Sequence, residues 1–293
     1  MSLSHSALEK LATFRVNNTR ASQETFQNAS TVLKSFKRLG DDGWAVLEQL
    51  FLASVDVGRL DVADECLRQL GKQFPHSPRV DVLTGIRMEA TESPDVVLEY
   101  YAQLLDADSA NAAIWKRKIS VLRRTGKIEK AVEELLQLLD TFYTDVEGWL
   151  ELADIYTSCN QYIPALQALS HVLLLAAQNP FYQLQFAETA YTAGDIPLAL
   201  KAFLVAVEMS ERDLSDKSPP VGISVRAWLG VKLCSRRLLL NSSPSASNTP
   251  VPKNLHLIEE LATERVLGVY SSKNSASRAP EGRDVVVGWV GDR

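Results

Sequence analysis

Residues 146–179 read VEGWLELADIYTSCNQYIPALQALSHVLLLAAQN, and this stretch decides the fold. Each of its halves places apolar residues at spacings of three and four, which is the pattern of a helix with one buried face. Asn160 separates the halves, and asparagine tolerates the left-handed backbone conformation that ends many helices. The stretch therefore predicts a hairpin of two α-helices.

The same arrangement recurs with a period of 34 residues. Trp115 and Trp149 are 34 residues apart, and Gly126 and Gly194 are 68 apart with Asn160 midway. Carried through the chain, the period defines five windows, at 44–77, 78–111, 112–145, 146–179 and 180–213. A fixed period in this range predicts helical hairpins that stack on one another and bury a continuous core.

Two positions of the repeat are the most regular. The turn position holds, in order, Gly58, Glu92, Gly126, Asn160 and Gly194. Five residues later, a mostly small position holds Ala63, Val97, Ala131, Ala165 and Ala199. We expect the second helix of each hairpin to cross closely over the first at this small position, and we expect Trp149 and Tyr156 to pack in the same core. The second window is the weakest match.

The chain outside the five windows is predicted to be helical apart from one loop and the tail. Residues 1–43 contain two helical patterns and are expected to form an N-terminal cap on the first repeat. Residues 214–270 are expected to form a divergent sixth helix pair, 223–240 and 255–270, joined by a flexible loop rich in Ser, Asn and Pro at 241–254. Residues 271–293 contain few packing residues before 285–290 and are predicted to be a disordered tail.

Composition and charge limit the classes of function. The 293 residues carry a net charge of −5, which argues against a nucleic-acid-binding protein, because phosphate binding requires an excess of Lys and Arg. Cys66, Cys159 and Cys234 are widely spaced and odd in number, which fits a reducing compartment. No apolar run approaches the roughly 20 residues that a membrane-spanning helix needs, and no secretory signal begins the chain. We therefore expect a soluble cytosolic protein without a membrane span.

The sequence contains no pattern of catalytic or cofactor-binding residues. The four histidines, His5, His76, His171 and His256, are isolated from one another and from the cysteines. The chain has neither a phosphate-binding glycine loop nor the G-x-S-x-G motif of a nucleophilic serine. We therefore predict that the protein is not an enzyme and takes no cofactor or metal.

The predicted function then depends on the surface. In hairpins of this kind, we expect the first helix of each pair to line a concave side that binds a partner. The residues expected to project there are Lys116, Ser120, Arg123, Arg124, Leu150, Asp154, Thr157, Glu188 and Tyr191. A basic segment beside an acidic one could orient a bound partner, although Lys116–Arg124 is equally well explained as a solvated helix face.

The 34-residue period and its Trp, Gly, Tyr and Ala positions resemble the tetratricopeptide repeat, most clearly in the 146–179 window. The resemblance implies an all-α superhelix, or α-solenoid, with an N-terminal helical cap and divergent C-terminal helices. Chaperone-associated members of that class clamp a C-terminal carboxylate with a pattern of Lys and Asn. This chain has Lys116 but carries Ser120 where those members place Asn, so that pattern is incomplete.

Five further segments resemble a narrower family, subunit 2 of the endoplasmic reticulum membrane protein complex. They are FPHSPRV at 74–80, LTGIRMEA at 83–90, KRKI at 116–119, DVEGWLELADIY at 145–156 and AETAYTAGD at 187–195. This resemblance implies a non-catalytic scaffold, peripheral to the cytosolic face of the membrane, that contacts membrane-embedded subunits and a soluble cytosolic subunit. The complex inserts transmembrane segments, including those of tail-anchored and multi-span proteins, into the bilayer. The alternative is a free cytosolic adaptor or co-chaperone that binds peptides in its concave groove.

Overall fold

The regular secondary structure of this chain is helical. The computed structural model describes residues 3–34, 39–212, 218–241, 246–271 and 282–291. Within these ranges no strand occurs, and consecutive helices pack against each other in pairs. The predicted all-α class is therefore confirmed.

The helices follow the 34-residue period closely. In chain order they are α1 Leu3–Val16, α2 Ser22–Val32, α3 Asp42–Val57, α4 Leu60–Gln73, α5 Pro78–Glu89, α6 Pro94–Ala107, α7 Ala112–Arg124, α8 Ile128–Thr141, α9 Val146–Ser158, α10 Tyr162–Leu175, α11 Pro180–Thr192, α12 Ile196–Glu211, α13 Ile223–Leu240, α14 Leu255–Ser271 and α15 Arg283–Gly291. The pairs from α3–α4 to α11–α12 occupy the five windows in order. In windows two to five, the first helix begins at the first residue of the window.

The helices form two compact units, Met1–Glu134 and Leu135–Arg293. The first unit buries Leu11 and Phe51 completely, and the second does the same with Leu169 and Leu200. Each unit therefore has a hydrophobic core of its own, built from the apolar faces of its helices.

The turn position has a left-handed backbone in four of the five windows. The φ angles are 80° at Gly58, 75° at Gly126, 58° at Asn160 and 88° at Gly194. Only Gly, and less readily Asn, adopts this conformation at low cost, which explains the residue types at the position. The second window turns differently, because α6 begins with Pro94 at its first position after Ser93, where a missing N–H costs little.

The small position of the repeat is buried throughout. The side chains of Ala63, Val97, Ala131, Ala165 and Ala199 have no solvent-exposed surface. At such positions the packing is close to that of an organic crystal, so an added ring cannot be accommodated without displacing a neighbouring helix.

Buried polar groups join α13 to α14 and join both of these helices to α12. Lys232 is 3% exposed, and its ammonium group donates to the Glu259 carboxylate and, at 2.7 Å, to Oγ1 of Thr263. Glu211 at the end of α12 accepts hydrogen bonds from Nε1 of Trp228 at 2.8 Å and from Nη2 of Arg265 at 2.7 Å. Both predicted helices are present, but their packing relies on charges as well as on apolar contacts.

The structure differs from the sequence prediction at the tail. Residues 283–291, predicted to be disordered, form the helix α15. Val290 is 7% exposed, Val286 and Trp289 pack against the core of the second unit, and Arg236 donates to the carbonyl oxygen of Trp289 at 3.2 Å. These three apolar residues form one helical stripe, and the surface that they cover stabilises the helix. The rest of the predicted tail, 272–281 and 292–293, lies outside the described residues.

The small position gives a direct test of the helix register. We expect Ala165→Phe to destabilise the protein by roughly 1–3 kcal/mol, because the ring overpacks a buried crossing. The matched control is Gln167→Phe, which places the same ring on the exposed face of α10 and is expected to change stability by less than about 0.5 kcal/mol. Denaturant midpoints measure both; equal midpoints for the two variants would contradict the register.

Candidate protein-interaction site

A groove of about 720 Å³ opens in the first unit. Its walls come from α3, α5 and α7, the first helices of three successive repeats, together with the end of α1 and the start of α2. The volume is within the range of about 300–1,000 Å³ typical of ligand sites. We call this surface the first-unit groove.

Arginine is the dominant charged residue of the first-unit groove. Its cations are Arg15, Arg20, Arg79, Arg117 and Arg124, and its carboxylates are Glu48, Asp56 and Glu89. Five cations against three anions leave an excess of two positive charges, in a chain whose net charge is −5. The groove is therefore electrostatically distinct from the chain as a whole and favours an acidic partner.

One ion pair closes the N-terminal end of the groove. Arg20 donates to both oxygens of the Asp56 carboxylate, at 3.0 and 2.6 Å, and Ser22 donates to it at 2.5 Å. The hydrogen bonds from Arg20 hold the pKa of Asp56 below its usual value. Since Arg20 precedes α2 and Asp56 is on α3, this pair ties the start of α2 to α3.

A buried carboxylate organises the other end of the groove. The side chain of Glu89 is only 5% exposed, and it accepts hydrogen bonds from the Tyr101 hydroxyl at 2.7 Å and from Arg117 at 2.6 and 3.0 Å. Nη2 of Arg124 lies 3.5 Å from its second oxygen. Burial and the Glu89 charge together raise the pKa of Tyr101, so the phenol stays a hydrogen-bond donor. For Arg117, burial disfavours the charged form, but Glu89 outweighs burial and raises the pKa.

Gly85 makes room for the aromatic ring that reaches Glu89. A Cβ atom at Gly85 would lie 2.2 Å from Cε1 of Tyr101, which is far closer than carbon atoms can approach. Tyr101 occupies the repeat position that holds Leu67, Leu135, Leu169 and Phe203 in the other windows. The second window therefore combines a large residue on its second helix, Tyr101, with the smallest residue on its first helix, Gly85. This combination accounts for its poor match to the repeat.

The predicted basic segment on α7 is only partly in the groove. Arg124 lines the groove, whereas Lys116, Ser120 and Arg123 are not among the lining residues. Arg117, which the sequence prediction omitted, lines it instead. Arg117 and Arg124 are seven residues apart and share one helix face, whereas 116, 120 and 123 lie on a face rotated by about 100°. Lys116, Ser120 and Arg123 thus lie outside the first-unit groove, and their role in binding a partner stays a prediction.

Lys118 is paired on another side of α7. Its ammonium group is 2.7 Å from Oε1 of Glu134, whose other oxygen accepts a hydrogen bond from Nε1 of Trp115 at 2.9 Å. Both contacts hold α7 against α8. The segment KRKI at 116–119 therefore contains one residue for the groove and one for the helix pair.

A smaller groove of about 300 Å³ lies in the second unit. Glu188 and Tyr191, both predicted, line it together with Thr192, Phe203, Arg226, Leu229, Gly230 and Leu233. Arg226 donates to Glu188 at 2.9 Å, and the Arg237 guanidinium lies 5.5 Å from the centre of the Tyr191 ring. Leu150, Asp154 and Thr157 are not among its lining residues. We call this surface the second-unit groove.

The metal-ligating side chains of the described residues are dispersed, and of the three cysteines only Cys159 is exposed. No cluster of His, Cys, Asp and Glu among them has the geometry to hold a metal ion. Burial raises the pKa of Cys66 to about 11 and that of Cys234 to about 12, so neither thiol is a nucleophile at neutral pH. In the part of the chain that the structure describes, no helix combines the length and apolar character needed to cross a membrane.

Helix pairs on a 34-residue period, with left-handed turns and small buried crossings, define a tetratricopeptide-repeat protein. A solved structure with this fold is the C-terminal part of a TPR repeat-containing protein from Cytophaga hutchinsonii. The two superpose with a TM-score of 0.56 at 12% identity, over 87% of this chain and 96% of that one. At this identity the similarity shows the fold alone.

Sequence relatives identify the family. The model of the EMC2 TPR-like repeat domain matches residues 80–199. ER membrane protein complex subunit 2-B of Xenopus laevis is 35% identical over 242 residues, which are 81% of this chain and 78% of the relative. TPR repeat protein oca3 of Schizosaccharomyces pombe is 31% identical over 214 residues, 70% of this chain and 72% of the relative. This chain belongs to the family of ER membrane protein complex subunit 2.

The exchange between Gly85 and Tyr101 predicts a coupled pair of substitutions. We expect Gly85→Ala to destabilise the protein by roughly 1–3 kcal/mol, because the new methyl group overlaps the ring. In a Tyr101→Leu background the same change is expected to be neutral or to stabilise by up to about 1 kcal/mol, because alanine is the better helix former. Chemical denaturation of the single and double variants measures the coupling.

The control for this cycle is Gly71→Ala. Gly71 is also helical, but its added Cβ would have only an ordinary 3.9 Å contact with Val80. Gly71→Ala should therefore stabilise the protein slightly, because alanine is the better helix former, both in the unmodified chain and in the Tyr101→Leu variant. Additive effects of Gly85→Ala and Tyr101→Leu would rule out the steric exchange.

Proposed function

We propose that this chain is a non-catalytic scaffold subunit of an endoplasmic reticulum membrane protein complex. The observation that carries the proposal is the 35% identity, over 81% of the chain, to a protein named ER membrane protein complex subunit 2-B. In this role the chain attaches peripherally to the cytosolic face of the membrane and supports the insertion of transmembrane segments of tail-anchored and multi-span proteins. It needs neither a cofactor nor a nucleic acid.

The first-unit groove supports a role in holding partner segments. Arg117 and Arg124 are already positioned by the buried Glu89, so a partner does not have to order them on binding. Guanidinium groups bind carboxylates with two parallel hydrogen bonds, which gives orientation as well as affinity. The groove therefore suits a cytosolic segment of a membrane-embedded subunit that presents acidic side chains.

The second-unit groove has a different chemistry. Its floor includes Phe203 and Leu229, and its rim carries the Glu188–Arg226 ion pair. An apolar floor with a charged rim is the usual form of a protein-interface centre. This surface suits the soluble cytosolic subunit of the complex. Insertion itself belongs to the membrane-embedded subunits, because only they can shelter polar groups within the lipid.

The alternative is a free cytosolic adaptor or co-chaperone that binds peptides. The excess of arginine in the first-unit groove favours it as a second candidate, since an acidic peptide needs no membrane partner. The two functions differ in where the chain resides and in what it retains on purification.

Cell fractionation distinguishes the two functions. The scaffold is expected to sediment with membranes, to be released by alkaline carbonate, and to retain membrane-embedded subunits when purified in mild detergent. Mass spectrometry of the purified material identifies the retained proteins. A chain found in the soluble fraction, with chaperones and no membrane proteins, would favour the adaptor.

Charge reversal tests the first-unit groove directly. We expect Arg79→Glu with Arg124→Glu to lower the recovery of membrane-embedded subunits about tenfold or more, because both changes place anions where an acidic segment binds. The control is Arg59→Glu with Arg68→Glu, which reverses two similarly exposed arginines outside the groove. Equal recovery with both pairs would refute the groove assignment and leave family membership intact.

A further inference from the structure

The loop between α13 and α14 carries a phosphorylatable dipeptide. Thr249 precedes Pro250, and Val251–Pro252 follows, within a segment that has no helix or strand. A residue before proline is held in an extended conformation, since the proline ring disfavours the helical region. Proline-directed protein kinases require this geometry and this residue order. The second such dipeptide of the loop, Ser243–Pro244, lies outside the described residues.

The loop is attached to the fifth repeat through one buried carboxylate. Asp195 is 5% exposed and caps α12, with Oδ1 accepting a hydrogen bond from the Leu198 amide at 3.2 Å. Its other oxygen, Oδ2, accepts one from the Ser247 amide at 2.8 Å. The hydroxyl groups of Ser247 and Thr249 are in turn 2.7 Å apart. Thr249 is thus linked to Asp195 through Ser247, whose hydroxyl group contacts Thr249 and whose amide donates to Asp195.

We propose that Thr249 is a phosphorylation site for a proline-directed serine/threonine kinase, and that the phosphate releases the loop from Asp195. In the transfer, Oγ1 of Thr249 forms a bond to the γ-phosphorus of ATP. The bond from that phosphorus to the oxygen bridging the β- and γ-phosphates breaks, and ADP leaves. The hydroxyl proton passes to the catalytic carboxylate of the kinase and then to solvent.

Electrostatic repulsion explains the release. Phosphothreonine carries a charge of about −1.5 to −2 at neutral pH, and placing it beside a carboxylate is destabilising. Water screens the field of the buried Asp195 poorly, so the repulsion persists at physiological ionic strength. The bulk of the phosphate also displaces the Ser247 hydroxyl from its contact with Thr249. The hydrogen bond from the Ser247 amide to Asp195 is therefore lost, whereas the Leu198 amide, inside α12, stays bonded.

The test uses the purified full-length chain, so it does not depend on the proposed scaffold role. A proline-directed kinase with magnesium and ATP is applied to the unmodified chain, to Ser243→Ala and to Thr249→Val. Fragment mass spectrometry is expected to find phosphate on Thr249 in the first two and none there in the third. Residue-resolved hydrogen exchange should then show the Ser247 amide exchanging about tenfold faster or more, since hydrogen bonds to charged groups are among the stronger ones. The Leu198 amide should be unchanged.

Two variants of Thr249 separate repulsion from a general loosening of the loop. Thr249→Glu places a carboxylate near Asp195, whereas Thr249→Gln has nearly the same size and no charge. Both variants lose the hydroxyl contact with Ser247, so the charge is the difference between them. The Ser247 amide is expected to exchange about threefold faster or more in Thr249→Glu than in Thr249→Gln. Three results would each overturn the proposal: phosphate confined to Ser243, unchanged or slower exchange at Ser247 after modification of Thr249, or equal exchange in Thr249→Glu and Thr249→Gln.

Discussion

Close crossing of paired helices is the constraint on which this structure depends. One position of each second helix holds a side chain no larger than valine, and all five are fully buried: Ala63, Val97, Ala131, Ala165 and Ala199. Where a larger ring enters the core, a glycine on the facing helix leaves room for it. Gly85 faces the ring of Tyr101, and Gly230 faces that of Phe203. At these two places, a larger residue on one helix is matched by the absence of a side chain on the facing helix.

The exchange in the second repeat also creates the charged end of the first-unit groove. With Gly85 opposite, the ring of Tyr101 lies deep enough for its hydroxyl to reach Glu89. The Glu89 side chain is only 5% exposed, and Arg117 donates two hydrogen bonds to it, so the buried carboxyl group is paired. The packing of Tyr101 against Gly85 thereby helps to position Glu89, which in turn holds the guanidinium groups of Arg117 and Arg124. Departures from a repeat pattern of this kind are expected at functional surfaces.

Sequence periodicity predicted the helices well and the surface less well. Helix starts at 78, 112, 146 and 180 follow from small and apolar residues that recur within one repeat. The groove depends on which face of α7 meets Glu89, 28 residues from Arg117, and both faces of α7 carry basic residues. The helix α15 was missed because its apolar stripe is short and packs against a core formed by residues distant in the sequence. In both cases the local sequence pattern does not specify the structure, and contacts with residues distant in the sequence do.

The loss of the period after residue 213 follows from the same reasoning. In the five repeats, register is specified by size, because only a small residue fits each crossing. In α13–α14 charge contributes as well as size: Lys232, almost fully buried, must meet Glu259. Removing one partner of such a pair costs about 3–5 kcal/mol, so a shifted register that separated them would be strongly disfavoured. Buried ion pairs and the fully buried Ala227 and Ala262 fix the packing of this pair together, so its helices pack on α12 although the 34-residue pattern has disappeared.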